Sequence, residues 1–107
     1  MKFYFRKHGW LAKHIQAWKV YDKMPDDMPE VFKKSTLVCY DNVDIEYSMS
    51  GVAKVETHEH SMTDAETIKK RLAECVEISE EKFNSLYIKC TNLKNEIKQA
   101  IEDEDSM

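Results

Sequence analysis

The spacing of apolar positions changes once along the chain, near residue 62. Before that point the clearest pattern has a period of two: Val43, Ile45, Tyr47 and Met49 alternate with Asp44, Glu46 and Ser48. That alternation predicts a strand with one buried and one wet face. Lys2-Phe3-Tyr4-Phe5-Arg6 is aromatic-rich and also reads as a strand. Leu11, Ile15 and Trp18 fall at i, i+4 and i+7, which predicts a helix over 10–21. Trp18, Val20 and Tyr21 favour β structure, so a strand over 15–21 is the competing reading. Pro25 and Pro29 make 22–30 a loop. A strand is predicted at 36–40, a turn at Asp41-Asn42, a strand over 43–49, a second turn at Ser50-Gly51 and a strand over 52–58.

After residue 62 the period becomes helical. Thr63 and Glu66 have capping-box spacing, and Ile68, Leu72 and Val76 follow at i, i+4 and i+8. Ser79 is a second N-cap candidate, with Ile78 and Phe83 as a hydrophobic staple and Glu80 and Glu81 in the first turn. The expectation is two helices, 64–76 and 80–102, broken near Glu77, or one bent helix. The predicted fold class is α+β: a small antiparallel sheet of about four strands, one early helix and two C-terminal helices, in the order β-α-β-β-β-α-α. The 107 residues suit a single domain. Residues 1–62 are expected to be mainly sheet plus one helix, 63–103 a helical hairpin or bent helix, and 104–107 a frayed acidic tail.

Composition narrows the function classes. Two glycines exclude a P-loop or a dinucleotide fingerprint, which need backbone to approach phosphate at several glycines. No Gly-flanked nucleophile elbow is present, and the acids Asp26, Asp27, Asp41 and Asp44 sit in or beside predicted turns, where they bond nearby backbone. The expectation is a non-enzymatic protein with no cofactor. Three cysteines without close pairs argue against a disulfide framework and for a reducing compartment. No signal-peptide pattern and no membrane-length apolar run is seen, which makes cytoplasmic the expected localisation and leaves no membrane partner.

The formal net charge is −4 and unevenly spread. Residues 1–21 carry five basic side chains and no acid; 22–62 carry four basic and nine acidic, and 63–107 seven basic and eleven acidic. Arg6, Lys7, Trp10, Lys13, Trp18 and Lys19 therefore form the candidate partner-binding surface, since cations mixed with aromatics suit protein hot spots and single-stranded nucleic acid alike. A second candidate is the a/d seam of the last helix: Phe83, Leu86, Cys90, Leu93 and Ile97. It serves either packing on the chain's own sheet or a homodimer. The segment 72–87 has the outline of a helix-turn-helix, but Glu74, Glu77, Glu80 and Glu81 at its recognition end would repel DNA; a plain helical hairpin is preferred. His58 and His60 are placed on one side of an extended segment, too few ligands for a metal site, and no metal is expected.

The favoured expectation is thus a small protein-interaction module with a protein partner. Its profile fits the small inhibitors or modulators of larger machines that phages and mobile elements encode. The alternatives are a nucleic-acid-binding module using the basic, aromatic N-terminus, and a helix-mediated homodimer with a structural role.

Overall fold

The computed structural model describes residues 1–105. Their elements run β1 (Lys2–His8), β2 (Lys13–Val20), α1 (Glu30–Lys33), β3 (Val38–Ser48), β4 (Gly51–Thr63), α2 (Ala65–Leu72), β5 (Val76–Ile78) and α3 (Glu80–Asp105). The strands form one antiparallel sheet in the order β4-β3-β2-β1-β5. The α+β class holds, with five strands rather than four. No helix among the described residues is long and apolar enough to cross a membrane.

The sheet has two unlike faces. Phe3, Ala17, Val43 and Ile45 point to one side and are buried there with Phe83 and Cys90 of α3. Ile15, Tyr47, Val55, Ile78, Leu86, Tyr87 and Leu93 pack around them. Phe3 and Phe83 meet at a centroid distance of 5.5 Å. The seam of the last helix therefore closes on the chain's own sheet at Phe83, Leu86, Cys90 and Leu93, and those side chains are not free for a second copy. Only Ile97 of the five stands outside this core. With Ile101, Ala53 and Val55 it borders a shallow concavity of about 480 Å³.

The 10–21 segment corrects the helical expectation. Residues 9–12 form a bend and Lys13–Val20 is β2, paired on both sides from His14 to Val20. The helical spacing of Leu11, Ile15 and Trp18 was coincidental: Ile15 and Ala17 point to the core and Trp18 to the opposite face. Gly9 has φ 87° at the start of the bend, and a Cβ there would lie 1.9 Å from the Ala12 carbonyl oxygen. Only glycine fits such a turn.

Asp41-Asn42 is likewise not a turn, because β3 runs through it. The amide of Asn42 donates to the Ala17 carbonyl at 3.1 Å. Asp41 faces Glu59 and His60, two residues of β4 opposite one of β3, which is a β-bulge. Its carboxylate clamps that bulge by accepting the His60 N–H at 3.0 Å and the Tyr21 hydroxyl at 2.8 Å. His60 has φ 53° there. Asp41 thus serves the neighbouring strand, and Asn42 serves β2 as well as the Val43 carbonyl of its own strand, to which it donates at 3.4 Å. The second turn falls one residue earlier than expected, at Met49-Ser50 rather than Ser50-Gly51, because Ser48 and Gly51 already pair as the last and first residues of β3 and β4.

β4 and β5 are opposite edges, so the chain must cross the sheet between them. α2 makes that crossing on the face away from α3, where Arg71 donates to the Tyr40 hydroxyl at 3.3 Å. The N-cap is Asp64, not Thr63: its carboxylate accepts the Thr67 N–H at 2.8 Å. Ser79 caps α3 as expected, accepting the Lys82 N–H at 3.1 Å. The predicted break at Glu77 is β5, which pairs Phe3, Tyr4 and Phe5 of β1. A strand between the helices rules out the helical hairpin, the bent helix and the helix-turn-helix together. The four-residue α1 was not anticipated. The acidic tail continues α3 through Asp105, and Ser106 and Met107 lie outside the described residues.

Candidate functional site

Because residues 13–20 form a strand, the basic N-terminal surface is divided by the period of two. Lys7 and Lys13 point toward the α3 side and Arg6 and Trp18 toward the open side; Trp10 sits in the bend between the strands. Lys19 shares the α3 side but lies at the far end of β2, its ammonium 5.2 Å from the Tyr21 ring centre. The six predicted residues therefore occupy three places rather than one.

The first place is the tip of the β1–β2 hairpin. Trp10 is 84% exposed and Leu11 63% exposed. Beside them Lys7, Leu11, Lys13, Ile15, Tyr47, Ser48 and Lys89 border a concavity of about 410 Å³. Among the described residues no carboxylate pairs with Lys7, Lys13 or Lys89. Three uncompensated cations around an apolar floor make a local positive field on a chain that is acidic overall. Lys89 was missed in the sequence because it is more than 70 residues from Lys13; only packing α3 over the sheet brings it here.

The second place is the open face. Arg6, Gln16, Trp18, Tyr40, Asn42, Asp44, His58, Ser61 and Arg71 surround a polar concavity of about 420 Å³. Trp18 is buried, so it supplies a floor and not an exposed anchor. The Arg6 guanidinium lies 5.7 Å from its ring centre and also binds Glu74 at 3.1 Å and Gln16 at 3.1 Å. Arg6 is thus a structural cation with its valences largely filled. Gln16 in turn donates to Asp44 at 3.4 Å.

At the hairpin end of this face, His14 Nε2 is 2.5 Å from Asp44 Oδ1 and 3.6 Å from Glu46 Oε1. These three side chains offer donor atoms within 4.8 Å of one another. The imidazoles expected to act together, His58 and His60, are instead parted by the bulge. His58 contacts Glu56 at 3.2 Å, while the His60 ring stands edge-on to Tyr21 at 5.6 Å. The buried thiols lie elsewhere: burial pushes the pKa of Cys39 and of Cys90 above that of a free thiol, as expected of small core hydrophobes rather than nucleophiles.

No protein-family model, no curated protein and no solved structure matches this chain.

Proposed function

We propose that the protein is a non-enzymatic interaction module that docks an acidic protein partner through the β1–β2 hairpin tip. The observation that supports this reading is the pairing of exposed Trp10 and Leu11 with Lys7, Lys13 and Lys89, none of which has a carboxylate partner among the described residues. A large apolar anchor supplies contact area at a hot spot, and surrounding cations supply orientation and encounter rate. The hairpin holds these groups in place before binding, which lowers the ordering cost. Blocking or modulating a larger machine by surface occupancy is the role such a tip would serve.

Nucleic acid is the second reading, because exposed Trp10 beside three lysines also suits a stacked base and its phosphates. One experiment separates the two. The tagged protein, its Trp10→Ala variant and its Lys7→Ala/Lys13→Ala/Lys89→Ala variant are used to capture partners from host lysate, with and without nuclease. A stoichiometric protein that survives nuclease and is lost with both variants supports the protein reading. Captured material that disappears with nuclease, and whose binding falls steeply with salt, transfers the tip to nucleic acid. A partner retained by both variants refutes the tip as the surface.

A further inference from the structure

We propose that His14, Asp44 and Glu46, with His8 as a fourth donor, form a binding site for a divalent transition-metal ion. His14 is directly opposite Glu46 across β2 and β3, and Asp44 lies two residues before Glu46 on the same face. His8 is directly opposite His14 across β1 and β2. Directly opposed residues have Cβ atoms about 5 Å apart, so their side chains meet above the sheet. Two adjacent strands therefore bring the donor atoms of His14, Asp44 and Glu46 within 4.8 Å of one another, and β1 sets the His8 ring beside His14.

The distances fit a metal. Tetrahedral zinc binds imidazole and carboxylate at about 2.0–2.2 Å, which sets its donors about 3.3 Å apart. His14 to Glu46 is 3.6 Å and His14 to Asp44 is 2.5 Å, so Asp44 needs to open by less than about 1 Å. The His8 ring stands edge-on to His14 at a centroid distance of 4.9 Å. It is exposed at the end of β1, and donating to the ion would require its ring to turn toward the other three donors.

The surroundings favour a cation. Asp44 and Glu46 bring two negative charges to this corner. Lys54, the register partner of Glu46, is directed to Glu56 at 3.7 Å, and Lys13 points to the other face. His14 is the sole basic group paired with Glu46 among the described residues. Gln16 donates to the second oxygen of Asp44 and is itself held by Arg6, so a second layer orients the carboxylate. Nitrogen and oxygen donors without thiolate select zinc and its first-row neighbours over copper(I). The ion would join β2 and β3, and β1 through His8, beside the tip of the hairpin.

The test uses the full chain, stripped with chelator, and Zn²⁺ alone as the probe. Calorimetric titration near neutral pH is expected to show saturable uptake of about one equivalent, the stoichiometry of one tetrahedral centre. Losing an orienting partner lowers metal affinity about 10–100-fold, so loss of a ligand in His14→Ala or Asp44→Asn should exceed about 100-fold, and His8→Ala about 10-fold. Asp44→Asn keeps the volume of the side chain, and circular dichroism of each variant verifies the fold. Cobalt(II) added to the wild type should give the intense visible absorption of a four-coordinate centre, lost in His14→Ala. Uptake that persists in both His14→Ala and Asp44→Asn, uptake abolished instead by Cys75→Ser, or no saturable uptake by the wild type overturns the assignment.

Discussion

Truncating Phe83 is the most direct probe of how the last helix is held. Its side chain is 2% exposed and packs on Phe3, with Tyr87 at a centroid distance of 6.4 Å. Phe→Ala in a well-packed core costs about 3–5 kcal/mol, through lost transfer energy and the cavity left behind. A domain of this size is stable by about 5–15 kcal/mol, so Phe83→Ala removes a large share of the total. Ile88 on the same helix is 60% exposed, and Ile88→Ala should change stability by less than about 0.5 kcal/mol. Urea unfolding followed by tryptophan fluorescence measures both, since Trp18 is buried in the sheet. The double substitution with Phe3→Ala should reveal a coupling of about 0.5–1.5 kcal/mol for the ring pair. Because the seam closes within one chain, the wild-type midpoint should be independent of protein concentration. A Phe83→Ala cost below about 1 kcal/mol would contradict intramolecular packing of the seam. A midpoint that rises with concentration would contradict it too and restore the homodimer.

Two further outcomes follow from backbone and ionisation. Gly9→Ala should destabilise by more than about 2 kcal/mol, because its Cβ meets the Ala12 carbonyl at φ 87°; Gly51→Ala meets open space at φ 129° and should cost only the strain, about 1 kcal/mol, as read by the same urea curves. The hydrogen bond to Glu59, reinforced by burial, pushes the Tyr87 phenol up from 10.0 to about 12. The folded state therefore holds this proton more tightly than the unfolded chain does. Its stabilising contribution is complete below pH 10 and is lost as pH rises toward about 12. Ultraviolet titration should show Glu59→Gln bringing one tyrosine back toward its ordinary range, and an unchanged titration refutes the pairing.

The parts of the fold legible in the sequence were those where one local pattern had no competitor. The alternation of Val43, Ile45 and Tyr47 survives as the core-facing side of β3, although the side expected to be wet is covered at Asn42 and Asp44, which are buried too, and Ser79 with Glu80 and Glu81 does begin α3. The errors share a different cause. Leu11, Ile15 and Trp18 fit a helix by spacing, yet pairing with strands on both sides outweighs propensity over the seven residues His14–Val20. Asp41 and Asn42 look like a turn because their side chains bond backbone, and they do so, but with their shortest bonds to backbone reaching across strands. Val76–Ile78 is three residues long, so nothing local marks it as a strand. Its pairing with β1, more than 70 positions away, defines it.

The same physics decides what was legible of the candidate sites. A cluster read on a helical wheel and the same cluster read on a strand put different residues together. Under the helical reading, Arg6 through Lys19 form one basic, aromatic surface. Under the period of two, neighbours in sequence become strangers: Lys7 faces α3 while His8 faces the open side. The chemistry then regroups by register. Lys7 and Lys13 gain Lys89 from a helix, and His14 gains Glu46 and Asp44 from β3. Neither grouping has a sequence motif, because each draws on elements about 30 or more positions apart. Residue type announced the cationic tip only through the absence of acids before Asp22. The histidine–carboxylate corner had no such signal, since a partner on the neighbouring strand, about 30 positions on, is found only by counting pairs along the sheet.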